Sequence, residues 1–184
     1  MPRTTEPHPS EPRRGPVSIS AGAVEVVFAW SGDRWTHRIL LGGEAAWDSV
    51  EGPWPATEDP RWPASPVLVE LDRVGRGPNA AIVAVGLAGR SHFSASVSCV
   101  PGDGDSPELL FELACRTHEP PGWIGSTYRL AADLRAATAA GQAVAIRPID
   151  SCCLLRGDGT PCGKEAWTAS SEGGPLRRLR APLR

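Results

Sequence analysis

Apolar and polar residues alternate most clearly over residues 24–41, where the runs VEVVFAW and WTHRILL flank turn-forming residues 31–34. Side chains alternate between the two faces of a strand, so this pattern predicts a β-hairpin. One face of the hairpin would be apolar except for His37. On that face the cross-strand pairs are predicted to be Trp30 with Trp35, Phe28 with His37, Val26 with Ile39, and Val24 with Leu41.

Six further segments have the length and pattern of strands, namely residues 67–74, 80–87, 91–99, 108–117, 124–130 and 142–149. Residues 80–87 are apolar on both faces, which is typical of a strand buried in the middle of a sheet. Residues 108–117 place Leu109, Phe111, Leu113 and Cys115 on one face.

Residues 91–99 alternate sharply, with Phe93, Ala95, Val97 and Cys99 on one side and His92, Ser94, Ser96 and Ser98 on the other. Matching the apolar residues favours a three-residue turn at 88–90, with Gly89 in the left-handed conformation. That turn would pair Val85 with Phe93 and Val83 with Ala95.

Eight short strands with turn residues between them predict an all-β fold, a single antiparallel β-sandwich or barrel-like domain over residues 17–150. Twenty glycines and 19 prolines among 184 residues agree with many turns. At most one short helix is expected, in the alanine-rich residues 131–140.

Residues 1–16 contain five prolines and no aliphatic side chain, so we expect a disordered N-terminal tail. Residues 151–184 are expected to be a loosely structured C-terminal tail.

Residues 42–66 combine five prolines with three tryptophans and several acids, and predict a long loop packed on the sheet. Loops held by a rigid sheet often present binding sites. The predicted ligand-binding surface lies where this tryptophan-rich loop meets the edge of strand 91–99. Its candidate residues are Trp47, Trp54, Trp62, Arg90, His92, Ser94 and Ser96.

The charge and cysteine content exclude several classes of protein. A net charge of −2 opposes a nucleic-acid-binding field over the whole chain, and no apolar run is long enough to span a membrane. The first 16 residues lack the apolar core of a signal peptide, so we expect a soluble, cytoplasmic protein. An odd number of cysteines, five, argues against a disulfide framework, and Cys152, Cys153 and Cys162 lack metal-ligand spacing.

Candidate catalytic residues are scattered in the sequence. His37, His92 and His118 have no partner at close metal-ligand spacing, so no metal and no cofactor is predicted. Ser91 and His92 are neighbours and therefore point to opposite faces of a strand, which opposes a nucleophilic pair. A triad of Ser94 or Ser96 with His92 and Asp48 remains open as an alternative.

The C-terminal segment 176–184 contains Arg177, Arg178, Arg180 and Arg184 with Leu176, Leu179 and Leu183. Arginines at this density suit phosphates or an acidic surface, whereas the alternative is a solvated tail that offsets the acidic loop.

Five short segments together resemble a group of bacterial hypothetical proteins. They are DRWTH (33–37), SVEG (49–52), WPASP (62–66), VGLAGRSHFSAS (85–96) and GSTY (125–128). The resemblance covers residues 24–130 and implies no activity, ligand or catalytic residue.

Together these features predict a non-enzymatic binding or interaction module, which recognises a small polar ligand or a protein partner. The alternative is a hydrolase or metal-dependent enzyme that uses the histidines with loop acids. A third hypothesis is a structural subunit whose tryptophans are buried in a homodimer.

Overall fold

A computed structural model describes residues 14–52, 60–101, 107–118, 125–131, 145–155 and 161–170, which form two antiparallel sheets. The first sheet has the strand order β1-β2-β3-β4-β9, with the bounds Val17–Ala21, Val24–Ser31, Arg34–Leu41, Glu44–Ser49 and Tyr128–Leu130. The second sheet has the order β10-β11-β8-β7-β6-β5. In chain order its strands are β5 Glu70–Val74, β6 Ala81–Ala88, β7 Ser91–Pro101, β8 Pro107–Arg116, β10 Ala145–Leu155 and β11 Pro161–Ser170.

The core lies between the two sheets. It contains the inward side chains of the first sheet, such as Phe28 and Ile39, and those of the second, such as Phe111 and Leu113. The rings of Phe28 and Phe111 stack across the interface, with centroids 6.4 Å apart. The prediction of an all-β, antiparallel sandwich is therefore confirmed, and the one helix in the described residues is a single 3-10 turn at Gly77–Asn79. Within that described part of the chain, no helix is long and apolar enough to cross a membrane.

The hairpin of β2 and β3 has the predicted register. Trp30 pairs with Trp35 and Phe28 with His37, and the pairing continues to Val24 opposite Leu41. The inward side chains of this face are buried, apart from Trp30, which is half-buried. Apolar matching across a two-residue turn was sufficient to define this register, because slipping the strands by one residue would expose the entire apolar face.

Residues 42–66 are not one continuous loop, contrary to the prediction. Residues Glu44–Ser49 form β4, which pairs with β3 through an irregularity between Ile39 and Leu40. That irregularity breaks the strict alternation of side chains, and so the strand is hard to recognise from its sequence. Residues 53–59 of this segment lie outside the described part of the chain.

The predicted register of β6 against β7 is wrong. The turn consists of Gly89 and Arg90 alone, so Val85 pairs with Ser94 instead of Phe93. Gly89 does adopt the predicted left-handed conformation, with φ of +58°. The inward face of β6 is formed by Ile82 and by the small residues Ala84 and Ala88, and its valines face outward.

Residues 62–68 cross from the first sheet to the second and are buried throughout. The backbone N–H of Trp35 donates to the Leu68 carbonyl at 2.7 Å, and the backbone N–H of Val69 donates to the Val85 carbonyl at 2.8 Å. The crossing backbone lies so close to Gly86 that a Cβ there would be 1.9 Å from the Val67 carbonyl oxygen.

Two strands lie where the sequence predicts the end of the domain and a loose tail. β10 extends from Ala145 to Leu155, and β11 pairs with β8 from Cys162 opposite Arg116 to Ala169 opposite Leu109. Residues 1–13, the alanine-rich residues 132–140 and residues 171–184 lie outside the described residues, as do the predictions made for them.

Candidate functional site

The tryptophans of the predicted ligand surface do not form an exposed platform. Trp62 is buried, with 5% of its surface exposed. Trp47 lies in β4, half-buried, and packs against the core. Trp54 lies outside the described residues. Large indoles stabilise packing when they are buried, and the described tryptophans at 47 and 62 have this role.

The other four candidates belong to the second sheet and to the turn that precedes β7. His92 and Ser94 are exposed and Ser96 is half-buried, all on the outward face of β7, and Arg90 is exposed in the preceding turn. β7 lies inside the second sheet, between β6 and β8. The structure therefore brings Arg90, His92, Ser94 and Ser96 together and places Trp47 in the other sheet. Trp62 follows Arg61, whose side chain lies beside Gly89 of the turn that contains Arg90.

The histidines of the enzyme alternative are also separated. His37 is buried on the inner face of the first sheet, whereas His92 and His118 are exposed, His92 in β7 and His118 two residues after the end of β8. Asp48, the acid of the alternative triad, lies in β4 of the first sheet. Among the described residues, no group of three or more His, Cys, Asp or Glu side chains is placed to hold a metal ion.

His37 is a core histidine with a partner. Its Nε2 lies 2.8 Å from the Tyr128 hydroxyl, and its ring packs against Phe28 and Phe111 at centroid distances of 5.4 and 5.2 Å. Burial among these aromatic rings lowers the pKa of His37 to about 4. The imidazole is therefore neutral at pH 7.

The Ser49 hydroxyl joins this histidine to an acid through the backbone. It accepts a hydrogen bond from the His37 N–H at 3.1 Å and donates one to Glu51 Oε1 at 2.7 Å. Partial burial raises the pKa of Glu51, while the Ser49 hydroxyl and the charge of Arg34 act in the opposite direction. Since Ser49 is bonded to the peptide group of His37 instead of its imidazole, the two do not form a nucleophile and base pair.

We expect Tyr128→Phe to lower the free energy of unfolding by about 2 kcal/mol, because it leaves a buried ring nitrogen without this partner. Thr36→Val is a matched control, since the Thr36 hydroxyl donates to the Ala29 carbonyl at an exposed position. Urea unfolding of both variants measures the effect. An equal, small loss in both would contradict a stabilising role for the His37–Tyr128 contact.

Exposed apolar side chains are concentrated on the second sheet. Within the described part of the chain, the five large apolar residues that are exposed all lie in β5, β6 or immediately before β5. They are Val69, Val74, Val83, Val85 and Leu87. The three on β6 follow one another along its outward face, with exposed fractions of 37% for Val83, 48% for Val85 and 49% for Leu87. A contiguous apolar row of this kind is a candidate interaction surface.

The register of the four neighbouring strands defines this surface, which we call the outer face. It has three rows of four residues, one residue from each of β5, β6, β7 and β8. The rows are Glu70–Val85–Ser94–Ala114, Asp72–Val83–Ser96–Glu112 and Val74–Ala81–Ser98–Leu110. None of these twelve side chains is buried.

The outer face combines an apolar centre with acidic sides. Glu70 and Asp72 lie on the β5 side and Glu112 on the β8 side, and none of the twelve positions is basic. The Ser96 hydroxyl donates to Glu112 Oε2 at 3.2 Å, which holds that carboxylate over the sheet. A shallow depression of about 340 Å³ lies between Val83, Val85, Ser94, Ser96 and Glu112.

The first sheet has a depression of its own, of about 510 Å³, around Thr36, Arg38, Asp48 and Glu51. Its charges are largely matched internally, because Arg38 and Asp48 form an ion pair at 3.1 Å. Its apolar lining consists of Val27 and Ala29. The outer face of the second sheet is therefore the better candidate for an interaction, since it exposes the larger apolar side chains, Val83 and Val85, beside its acids.

Sequence reasoning identified part of this surface and missed the rest. The serine row on β7 was found from its alternation, but Val83, Val85 and Leu87 were assigned to a strand buried on both faces. The sequence did carry one signal for them: Ala84, Gly86 and Ala88 alternate with the larger residues, and small residues mark the side of a strand where another backbone approaches.

Comparison of the chain with protein-family models, with curated proteins and with solved structures gives no match. The resemblance of the five short segments to bacterial hypothetical proteins therefore stays a prediction.

Proposed function

We propose that this protein is a non-enzymatic interaction module that binds a protein partner on the outer face. The observation that carries the proposal is the row of exposed Val83, Val85 and Leu87 on β6, an inner strand that lies next to the edge strand β5. Complete burial of a fully exposed side chain of this kind contributes about 1.5–3 kcal/mol, and these three, which are less than half exposed, would each contribute less than half of that against a partner.

The chemistry of the outer face also specifies the partner. Acids flank the apolar centre at Glu70, Asp72 and Glu112. A complementary partner presents an apolar segment with basic side chains on either side, because charge matching steers association and discriminates against acidic partners. The serines between Val85 and Glu112 supply hydrogen-bonding groups to that segment.

The test places a photoactivatable cross-linking residue at position 85 of the full chain, in the cells that make the protein. The matched control carries it at Val27, a half-buried valine on the outward side of the first sheet. We expect a cross-linked partner from position 85 and none from position 27. The partner is then purified, and its affinity is measured by calorimetry.

We expect Val85→Lys to weaken that affinity at least about tenfold, which corresponds to about 1.4 kcal/mol, whereas Val27→Lys leaves it unchanged. The lysine removes apolar contact and repels basic groups of the partner. Equal cross-linking from both positions, or an affinity unaffected by Val85→Lys, would overturn the proposal. Cross-linking to a second copy of this chain would replace it with self-association.

A further inference from the structure

We infer that the outer face binds the chain's own segment 176–184, so that the segment competes with an external partner. The inference rests on the proposed function, since it uses the same surface and the same partner chemistry. It also gives a role to the arginine-rich segment, which the fold leaves unexplained.

The side chains of the segment are chemically complementary to those of the outer face. Residues 176–184 contain three leucines and four arginines and no acid. The outer face offers the apolar side chains Val83 and Val85 with acids on both sides. Leucine contact with the valines and arginine contact with the carboxylates are compatible, because Glu70 lies directly beside Val85 and Asp72 beside Val83.

The chain leaves the second sheet at a place from which residues 176–184 can reach the outer face. β11 ends at Ser170, and the preceding Ala169 is opposite Leu109 of β8, near the row that contains Ala81 of β6. Neighbouring strands are about 4.8 Å apart, so β6 lies about 14 Å from β11 across β8 and β7. Five residues lie between Ser170 and Leu176, and the six steps from one Cα to the next can span about 20 Å when extended. Gly173, Gly174 and Pro175 favour a change of direction on the way.

The electrostatic part of the contact is strong at low salt. Three carboxylates of the outer face and four guanidinium groups of the segment are brought within a Debye length, about 10 Å at 0.1 M salt. Raising the salt to 1 M shortens that length to about 3 Å, so the docked segment should then be released more often.

The inference is tested on the full chain with no partner present. The first measurement is methyl NMR of wild type and of Leu179→Asp. We expect the methyl resonances of Val83, Val85 and Leu87 to shift, and those of buried Val26 and Ile39 to stay in place. The control variant Arg3→Ser/Arg13→Ser also removes positive charge, but outside the segment, and should shift none of them.

The second measurement is the rate at which an arginine-specific protease cleaves after Arg178 and Arg180, with cleavage after Arg3 as the internal reference. We expect Val85→Lys to raise the rate about tenfold and Val27→Lys to leave it unchanged, because cleavage follows the undocked population.

Unmoved methyl resonances, or equal protease rates in both lysine variants, would overturn the inference. A methyl shift that disappears on tenfold dilution would assign the segment to a second copy and overturn docking within one chain. These outcomes do not contradict the proposed function, because that function is tested with an external partner. Likewise, failure of position 85 to cross-link an external partner does not contradict the inference, because the inference is tested with no partner present.

Discussion

Gly86→Ala should lower the free energy of unfolding by about 3 kcal/mol, a large effect for one methyl group. The new Cβ would lie 1.9 Å from the Val67 carbonyl oxygen and 2.9 Å from the Leu68 Cα, and both are backbone atoms that cannot rotate away. Relief requires the crossing segment to lift from β6, which weakens the hydrogen bond from the Trp35 N–H to the Leu68 carbonyl and uncovers buried Leu68.

Thermal unfolding measures this effect, and we expect the melting temperature to fall by about 10 °C for a chain of this size. Gly22→Ala is the matched control. Gly22 has a φ of +57° and no atom within 4 Å of an added Cβ, so its substitution adds backbone strain without a collision. We expect that control to lose about 1 kcal/mol. Similar losses in the two variants would contradict the close approach at Gly86.

The second large effect is a loss of stability on acidification, caused by His37. Burial holds the pKa of His37 at about 4 in the folded protein, against about 6.5 in an unfolded chain. Below pH 6.5 the unfolded chain therefore binds a proton that the folded chain does not. The free energy of unfolding should fall by about 3 kcal/mol between pH 6.5 and 4, and the contribution of His37 is fully present above pH 6.5.

Glu51 acts in the opposite direction, because its raised pKa favours the folded state at low pH. Comparison with His37→Gln isolates the histidine, since glutamine keeps a hydrogen-bonding group near Tyr128 but does not titrate. We expect the difference in unfolding free energy between wild type and His37→Gln to change across pH 4–6.5. A constant difference would show that His37 titrates normally. NMR titration of its ring protons, unchanged from pH 8 to 5, gives a direct measurement.

The predicted binding surface shows where sequence patterns lose their power. Alternation on β7 placed His92, Ser94 and Ser96 on one outward face, as the structure has them. It could not show that β6 turns its valines outward beside them, because a strand with apolar residues on both faces has no preferred side. The deciding contact is the backbone of Val67 against Gly86, between residues far apart in the chain.

Tryptophan illustrates the same limit in another way. The cluster of indoles at Trp47, Trp54 and Trp62 suggested a ligand-binding loop. Trp62 is instead buried within the crossing segment, and Trp47 packs on the core from a strand whose pairing contains an irregularity. Composition does not distinguish a ligand platform from a packing group, since the same apolar area serves both.

The sequence by itself determined the all-β class, the β2–β3 hairpin with its register and the buried faces of β7 and β8. These features depend on neighbours in the chain and on a side-chain period of two, which local patterns carry. The tertiary structure alone decided the pairing of β6 with β7, the strand β4, the burial of Trp62 and the outward row of valines. Each depends on which backbone crosses which sheet, and contacts of that kind leave almost no trace in a local pattern of residues.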